Sequence, residues 1–345
     1  MNGRSLGPGQ PCFLVAEAGI NHNGDLKLAR ALVDAAAEAG ADAIKFQNYR
    51  VEDFILDRSL TYEYLSQGKT VIESQYEMFR RCQLDFSQLR ELKQQCTRRK
   101  TIFFSTPVSE AGLGDLLRLK VPLLKNGSDC LGHLPLIRAM ARTGLPTVIS
   151  TGMAVERDIA EAVTAFRRAG GNKLILMHCT SSYPTPARDV NLRKIPALAA
   201  KFRCPVAFSD HSEGLTAALG AVALGACMIE KHFTLDKNLP GPDHRFSADA
   251  AEFRSLVNGV RQLEEQLGEA ALRFAPSERA NRLEARLSCA AARDLESGHV
   301  LRPADTTFSR PGTGIPPKEI ERLHGRRLRR AVSAGVLFRK SDFGK

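Results

Sequence analysis

Two histidines each end a short apolar segment and have carboxylates beside them in the sequence. His211 ends "PVAFSDH" and His232 ends "CMIEKH". If these segments are neighbouring parallel strands, their ends lie about 4.8 Å apart, and the two imidazoles can share one metal ion of the Mn, Fe, Co or Zn type. Two protein ligands leave positions open for substrate oxygens, as Lewis-acid catalysis requires. A histidine of this kind is more often a hydrogen-bonded core residue, so the spacing alone leaves both interpretations open.

Two lysines also stand at the ends of apolar segments. Lys45 and Lys125 are accompanied by hydroxyl side chains at Thr106, Ser128 and Ser150. Cations together with several hydroxyl donors are what a phosphate or a carboxylate requires, so the pattern predicts an anion site. The alternatives are lysines that simply reach solvent, or a Schiff-base aldolase, which would leave the histidine pair without a role.

Eight such segments alternate with amphipathic helical patterns over residues 1–268, for example "PCFLVAEAG" followed by "LKLARALVDAAAEAGA". Eight βα units in roughly 250 residues are typical of a (β/α)8 TIM barrel, in which the chemistry lies at the C-terminal ends of the strands. The polar residues gather at those ends here. An open doubly wound sheet is the alternative, but "AGINHNGD" lacks the G-x-G-x-x-G phosphate loop. The longer stretch 49–85 is polar and is expected to be an excursion over the barrel mouth.

The pattern changes after the barrel. Residues 269–287 are predicted to be a linker. Residues 288–345 are predicted to be a small β-rich domain, in which turns with Gly and Pro separate short strands. The net charge is +11, and the last 60 residues contribute +7 of it through 13 Lys/Arg and 6 Asp/Glu. A nucleic-acid patch, a solvated basic face and a surface facing an anionic site would all explain this charge. Stacking aromatics do not accompany it, so no nucleic-acid partner is predicted.

Composition limits the class of protein. The hydrophobic content of 43% and the charged content of 25% are ordinary for a globular protein. No apolar stretch approaches the roughly 20 residues of a membrane helix, so no membrane partner is expected. The N-terminal "MNGRSLGPGQP" does not resemble a secretory signal, which predicts the cytoplasm. The eight cysteines include no C-x-x-C pair and are expected to be reduced and mostly structural.

An ordered set of motifs resembles the sialic acid synthase family over nearly the whole chain. The set is "AEAGINHNGD", "IKFQ", "FSTP", "TGLPTVISTGMA", "HCTSSYPTP", "FSDHSEG", "EKHFTLDKNLPGPDHRFS" and "RPGTGI". The tail is similar to the antifreeze-like (SAF) domain of these synthases. The resemblance implies condensation of phosphoenolpyruvate with an N-acetylated amino sugar, giving a nonulosonate and phosphate. It also implies a divalent metal, Mn²⁺ with Mg²⁺ or Co²⁺ as alternatives, and a domain-swapped homodimer in which one subunit's tail covers the other's barrel mouth.

The resemblance also implies roles for individual residues. His211 and His232 correspond to metal ligands, and Glu17 to the carboxylate near the reacting centre. The phosphoenolpyruvate pocket corresponds to Lys45, Thr106, Lys125, Ser128, Ser150 and Ser181. The sugar contacts correspond to Gln47, Tyr183, Asp243 and, reaching in from the partner subunit, Arg310.

The sequence departs from the family pattern on the sugar side. In "KNGSDC", Cys130 stands where an acid is expected and Asp129 precedes it, while Ser181 replaces an Asn. The acceptor is therefore left open between N-acetylmannosamine, its 6-phosphate and a 2,4-diacetamido-6-deoxy sugar. Alternative functions are a Schiff-base keto-acid lyase or a non-catalytic homologue that binds sugar or nucleic acid.

Overall fold

The computed structural model describes residues 5–344. Residues 1–4, at the start of the predicted barrel domain, and Lys345, at the end of the predicted tail domain, lie outside the described part. The chain divides between Gly268 and Glu269 into two compact units. The predicted linker 269–287 belongs to the second unit, where it includes the short helix α10 (Arg279–Glu284).

The first unit is built around eight parallel strands. They are β1 (Phe13–Gly19), β2 (Ala43–Asn48), β5 (Ile102–Pro107), β6 (Leu124–Asn126), β7 (Thr147–Ser150), β8 (Leu174–Cys179), β9 (Val206–Asp210) and β10 (Met228–His232). Hydrogen bonds join them in the order β5-β2-β1-β10-β9-β8-β7-β6, and β5 and β6 also pack against each other. The predicted eight-stranded barrel is confirmed.

Helices follow the strands and cover the outside of the barrel. They are α1 (Leu26–Glu38), α3 (Phe86–Arg98), α4 (Glu110–Arg118), α5 (Leu134–Arg142), α6 (Glu156–Arg168), α7 (Lys194–Phe202), α8 (Thr216–Ala223) and α9 (Ala250–Leu267). Local sequence sets where several begin, because Asp25, Asp85, Ser109 and Asp249 accept hydrogen bonds from first-turn backbone N–H groups. The large apolar core lies between these helices and the strands.

A second apolar cluster occupies the inside of the barrel. Phe13 and Val15 of β1, Ala43 of β2 and Met228 of β10 belong to it. Side chains two positions apart on a strand share a face, so the next inward position on each strand falls at its carboxyl end. This alternation places polar residues above the barrel's apolar interior.

The excursion, residues 49–85, leaves the barrel after β2. It contains the antiparallel hairpin of β3 (Thr61–Ser66) and β4 (Lys69–Ser74), followed by α2 (Gln75–Cys82). The prediction that this segment is polar missed an aromatic cluster. The rings of Tyr49, Phe54 and Phe79 meet edge to face with centroids 5.2–5.5 Å apart.

The second unit is small and β-rich, as predicted. It contains α10 (Arg279–Glu284) and the antiparallel strands β11 (Ser288–Ala291) and β12 (Thr306–Ser309). Its own apolar core includes Leu295, Ile315 and Phe338. The buried carboxylate of Asp305 accepts hydrogen bonds from the side chains of His299 and Arg293.

All eight cysteines are free thiols, in agreement with the prediction. Within residues 5–344, none of the helices has the length and apolar character needed to cross a membrane.

Candidate active site

A cavity of about 620 Å³ opens at the carboxyl ends of the barrel strands. Twelve of the thirteen predicted site residues line it, and all twelve belong to the first unit. They are Glu17, Lys45, Gln47, Thr106, Lys125, Ser128, Ser150, Ser181, Tyr183, His211, His232 and Asp243. The thirteenth, Arg310, belongs to the second unit.

Strand register explains why these side chains converge. Glu17 of β1 is paired with His232 of β10 on one side and with Lys45 of β2 on the other, and Gln47 of β2 is paired with Thr106 of β5. All five lie beyond the apolar interior, and Gln47 lies one inward position further along β2 than Lys45. The sequence therefore builds one polar layer from neighbouring strand ends.

Two lysines and two carboxylates form a buried ion network in this layer. Lys45 Nζ lies 2.8 Å from Glu17 Oε2 and 3.7 Å from Glu230 Oε1, and it donates to Thr106 Oγ1 over 3.1 Å. Lys125 Nζ lies 3.1 Å from Glu230 Oε1. Glu230 was given no role from the sequence. Its position two residues before His232, on the same strand face, is the signal that would have found it.

The network gives its two carboxyl groups different proton affinities. Burial raises the pKa of Glu17 to about 7, although Lys45 acts in the opposite direction. Burial also acts to raise the pKa of Glu230, but Lys125 and Lys45 outweigh it, so that this pKa is lowered. Glu230 is thus a fixed anion, whereas Glu17 can gain or lose a proton near neutral pH.

Lys45 remains a cation although it is buried. Burial lowers the pKa of this amine, but the nearby carboxylates of Glu17 and Glu230 have the larger effect and raise it above its usual value. A charged ammonium can bind an anion but is not a nucleophile.

Serine hydroxyls converge beside the lysines around one glycine. Ser128 Oγ donates to Ser150 Oγ over 2.9 Å and accepts from the backbone N–H of Gly152 over 3.0 Å. A Cβ atom on Gly152 would lie 2.4 Å from Ser181 Oγ and 2.7 Å from Ser128 Oγ. A Cβ atom at position 152 would therefore displace the hydroxyls of Ser128 and Ser181.

The two histidines meet, as their spacing indicated. Their ring centroids are 5.2 Å apart. His211 Nδ1 lies 2.9 Å from the carbonyl oxygen of Thr180, so Nδ1 carries a proton, and Nε2 lies 3.3 Å from Ser209 Oγ. The ring of Tyr183 lies against that of His211 with centroids 4.2 Å apart.

His232 carries a buried ring nitrogen without a hydrogen bond. Its Nδ1 has no hydrogen-bond partner and lies 3.5 Å from Asp243 Oδ2. Burial, with His211 as the next cause, lowers the pKa of His232 well below its usual value, so the ring is neutral. Burial also raises the pKa of Asp243 to about 6.

These two imidazoles fit a metal ion with an incomplete protein ligand set. A backbone carbonyl that fixes the tautomer is the usual support of a metal-binding histidine, and a neutral, unpartnered ring nitrogen is an available ligand. No group of three or more His, Cys, Asp or Glu side chains in residues 5–344 is arranged to hold an ion. The arrangement suits an ion whose other ligands come from substrate or water.

The departures near Lys125 have a structural consequence. Asp129 lines the cavity, whereas Cys130 is not among the lining residues. An acid therefore does reach the cavity from this loop, one position earlier than the family pattern indicated. Cys179, which the sequence left unassigned, also lines the cavity, with its sulfur 3.9 Å from His211 Nδ1.

Fold and site together define a (β/α)8-barrel enzyme with paired histidines and a lysine–carboxylate network at its strand ends. Residues 32–271 match the model of the NeuB family, and residues 288–344 match that of the SAF domain. The chain belongs to the NeuB family, which confirms the resemblance to sialic acid synthases.

Relatives and solved structures agree with this assignment. The chain is 42% identical to an uncharacterized protein of Methanocaldococcus jannaschii, over 94% of this chain and 93% of the relative. It is 39% identical to the N,N'-diacetyllegionaminic acid synthase of Legionella pneumophila, over 96% and 94%. The crystal structure of N-acetylneuraminic acid (sialic acid) synthetase from Leptospira borgpetersenii is 34% identical, with a TM-score of 0.74 over 81% of this chain and 93% of that one.

Proposed function

We propose that this enzyme condenses phosphoenolpyruvate with the open-chain aldehyde form of an N-acetylated amino sugar, giving a nine-carbon nonulosonate and phosphate. The observation that carries the proposal is the buried network of Lys45, Glu17, Glu230 and Lys125 beside the paired histidines. It offers two cations and several hydroxyls to an anionic substrate, next to two imidazoles.

The lysines and hydroxyls hold the anionic substrate. Phosphoenolpyruvate carries a carboxylate and a phosphate, and Lys45 and Lys125 supply one cation for each. Thr106, Ser128, Ser150 and Ser181 supply hydroxyl donors around the same cavity. Holding C3 of phosphoenolpyruvate next to the aldehyde carbon removes much of the entropic barrier.

The reaction forms one carbon–carbon bond and breaks one carbon–oxygen bond. C3 of phosphoenolpyruvate forms a bond with the aldehyde carbon, the aldehyde oxygen becomes a hydroxyl, and positive charge develops at C2. Glu17 stabilises that charge or takes the proton of the water that adds to C2, which suits a carboxyl with a pKa of about 7. The C2 hydroxyl then becomes the ketone, the bond between C2 and the bridging oxygen breaks, and inorganic phosphate leaves. Of the two protons of the added water, one ends on the former aldehyde oxygen and the other on the departing phosphate.

His211 and His232 would hold a divalent ion, for which we propose Mn²⁺ with Mg²⁺ or Co²⁺ as alternatives. When bound, such an ion supplies Lewis acidity to substrate oxygens. Tyr183, Gln47 and Asp243 contact the sugar in this proposal, since all three line the same cavity.

The proposed working form is a homodimer in the cytoplasm, in which Arg310 of one subunit reaches the sugar bound by the other. The SAF domain match and the basic charge of the tail support a role for the tail at an anionic site. Comparing the full chain with residues 1–268 would test this role. Loss of sugar turnover with retained phosphoenolpyruvate binding supports it, and undiminished turnover contradicts it.

A Schiff-base lyase is less compatible with the site. Schiff-base chemistry needs a neutral amine, whereas the carboxylates around Lys45 raise its pKa. Borohydride treatment in the presence of pyruvate distinguishes the two mechanisms, because only a Schiff base would be trapped as a covalent adduct.

The proposed function is tested by measuring phosphate release from phosphoenolpyruvate with Mn²⁺ and amino sugars. We expect release that requires both a sugar and the metal and that EDTA abolishes. Absence of release with every amino sugar, or release unaffected by EDTA, would contradict the proposal.

A further inference from the structure

Asp243 and His244 are consecutive in the chain but have different surroundings. Both belong to the segment 233–249, which connects β10 to α9 through turns and bends. Asp243 lines the cavity, and its Oδ2 lies 3.5 Å from His232 Nδ1. The side chain of His244 is fully buried and is not among the lining residues. The proposed chemistry gives His244 no role.

Both ring nitrogens of His244 are engaged, and their partners fix the tautomer. Nδ1 lies 2.7 Å from Thr234 Oγ1, whose hydroxyl donates its only hydrogen to the carbonyl oxygen of Asp236 over 3.0 Å. Nδ1 is therefore the donor, and Nε2, which lies 3.3 Å from Asn23 Nδ2, is the acceptor. Burial lowers the pKa of His244 to about 4, so the ring is neutral at neutral pH, as this pattern requires.

Asn23 connects His244 to the loop after β1. Its amide nitrogen also donates to the carbonyl oxygen of Pro240 over 2.7 Å, so both amide hydrogens are used. Asn23 has a φ of 51°, in the left-handed region that asparagine adopts more readily than most residues. A Cβ atom on Gly241 would lie 3.0 Å from both Asn23 Oδ1 and His244 Cδ2. The residues that precede Asp243 are thus packed closely against Asn23 and His244.

Asn21 holds the same segment on the other side of Asp243. Its amide nitrogen donates to the carbonyl oxygen of Phe233 and to Ser247 Oγ, each over 2.9 Å. Ser247 Oγ in turn donates to the carbonyl oxygen of Asp243 over 2.6 Å. Asn21 and Ser247 are almost completely buried, like His244, so water competes little for these bonds. The backbone around Asp243 is therefore fixed by side chains that do not reach the cavity.

The groups proposed to bind phosphoenolpyruvate do not depend on this segment. Lys45 belongs to β2 and is paired with Glu17, and Lys125 belongs to β6 and is paired with Glu230. A shift of Asp243 leaves both pairs in place. A change at His244 should therefore affect the acceptor and leave phosphoenolpyruvate binding largely unaltered.

We infer that His244 is a positioning residue, which holds the Asp243 carboxylate where it accepts hydrogen bonds from the acceptor sugar. The inference rests on the proposed function, in which Asp243 contacts the sugar. A neutral imidazole can be buried at little cost when both nitrogens are bonded, and the fixed ring removes freedom that a carboxylate in a segment of turns would otherwise have. A displacement of about 1 Å at a substrate contact can lower a rate by about 100-fold.

Substitutions of His244 test the inference with the full chain and Mn²⁺. The acceptor is whichever of N-acetylmannosamine, its 6-phosphate and a 2,4-diacetamido-6-deoxy sugar the wild-type chain turns over fastest. His244→Leu removes both hydrogen bonds, so kcat/KM for the sugar should fall by about 100-fold, while KM for phosphoenolpyruvate changes by less than about threefold. His244→Asn keeps a donor near the position of Nδ1 and should recover about tenfold of the loss.

A double-substitution cycle separates positioning from general damage to the fold. If His244 acts through Asp243, His244→Leu should lower kcat/KM for the sugar by less than about threefold in a chain that already carries Asp243→Ala. A role in the stability of the barrel alone would give the same fall in both backgrounds, because independent effects add.

Thr234→Val reaches the same hydrogen bonds without changing the histidine. It removes the hydroxyl that accepts from His244 Nδ1, so kcat/KM for the sugar should fall by about tenfold. The matched control is Thr147→Val, at an equally buried threonine at the start of β7, whose hydroxyl donates to the carbonyl oxygen of Leu145. This control should leave kcat/KM for the sugar unchanged. The pair keeps the test decisive if His244→Leu does not fold.

The outcomes separate this inference from the proposed function. Equal changes for the sugar and for phosphoenolpyruvate, additive losses in the cycle, or unchanged kcat/KM in folded His244→Leu or Thr234→Val would each overturn the inference and keep the condensation. A wild-type chain that releases no phosphate with any of the sugars would remove the proposed function, and the inference falls with it.

Discussion

Lys231 and Asp210 form a buried ion pair between β10 and β9, with Nζ 2.8 Å from Oδ2. The two residues are register partners, and each immediately precedes one of the paired histidines: Asp210 precedes His211, and Lys231 precedes His232. Because side chains alternate along a strand, the pair lies on the opposite face from the histidines. It joins the two strand ends that carry the proposed metal ligands.

Removing one member of this pair should destabilise the barrel. Lys231→Met leaves the Asp210 carboxylate buried without its cation, which costs about 3–5 kcal/mol, and Lys231→Met with Asp210→Leu should recover much of the loss. Urea unfolding followed by circular dichroism measures both. Arg157→Met, which breaks an exposed pair with Glu161, is the control and should cost less than about 1 kcal/mol. Equal effects of the buried and exposed substitutions would show that the pair contributes little.

Glu17→Gln should separate binding from chemistry. The amide keeps the shape of the side chain but cannot accept a proton, so kcat should fall by about 10²–10⁴-fold. The dissociation constant of phosphoenolpyruvate should change less than about tenfold, since Glu230 still neighbours both lysines. Steady-state phosphate release measures kcat, and equilibrium binding measures the dissociation constant of phosphoenolpyruvate. Glu213→Gln, at an exposed position, is the matched control and should leave both unchanged.

The same carboxyl predicts a pH dependence. Because burial raises the pKa of Glu17 to about 7, the carboxylate form is populated above that pH and is lost as the pH falls through it. If the carboxylate is the active form, kcat/KM should decline about tenfold per unit below pH 7. The residual activity of Glu17→Gln should lack this decline. If Glu17→Gln keeps the full decline of kcat/KM below pH 7, another group causes that decline.

Gly152→Ala should weaken phosphoenolpyruvate binding without unfolding the barrel. The added Cβ would displace the hydroxyls of Ser128 and Ser181, and a displacement of about 1 Å can change rates by up to about 100-fold. We expect KM for phosphoenolpyruvate to rise by about 10–100-fold, measured by steady-state phosphate release. Gly114→Ala, where a Cβ meets open space, is the control. An unchanged KM in Gly152→Ala would exclude these serines from the anion site.

The histidine pair can be tested by metal binding alone. His211→Ala and His232→Ala should each reduce Mn²⁺ affinity by more than about 100-fold, because each removes one of two protein ligands. The electron paramagnetic resonance signal of free Mn²⁺ reports the binding directly. His133→Ala, at the start of α5, serves as the control. Wild-type affinity in either active-site variant would exclude that histidine as a ligand.

Periodicity in the sequence was sufficient to predict the barrel and most of its polar layer. The alternation that places Val15 inside the barrel also places Glu17 at its mouth, and the same rule applies to Ala43 and Lys45. Glu230 follows that rule too, but only its contacts with two lysines from distant strands give it a role. Such pairings depend on which strands close the barrel and cannot be obtained from one segment.

The apolar side of the cavity, formed by Ile20, Tyr62, Met78 and Phe79, could not be predicted for a different reason. Tyr62, Met78 and Phe79 are separated from Ile20 by about forty to sixty positions in a segment that is mostly polar, as the printed sequence shows. They become neighbours only because the β3–β4 hairpin and α2 fold back to the cavity. No helical or strand period connects them along the chain. The apolar side of the cavity thus comes from a loop insertion, whereas its polar layer comes from the repeating barrel.

The lowered pKa of Asp305 predicts that the second unit loses stability in acid. A hydrogen bond from His299, aided by the backbone N–H of Arg302 and the side chain of Arg293, lowers the pKa of Asp305 to about 2, whereas the unfolded chain has about 3.9. The stabilisation is fully present above the unfolded value and is lost as the pH falls through the folded one. Hydrogen exchange of peptides covering 288–309 should therefore accelerate between pH 4 and pH 2, after correction for the intrinsic rate.

Two variants determine whether Asp305 causes that loss. Asp305→Asn cannot form the charged hydrogen bonds, so its second unit should exchange faster than wild type already at neutral pH, with a flatter dependence between pH 4 and pH 2. Glu296→Gln changes an exposed carboxyl of the same unit and should follow the wild-type curve. If Asp305→Asn retains the wild-type acid transition, the stability of this unit below pH 4 is controlled by other carboxyl groups, and the bonds from His299 and Arg293 only orient the side chain.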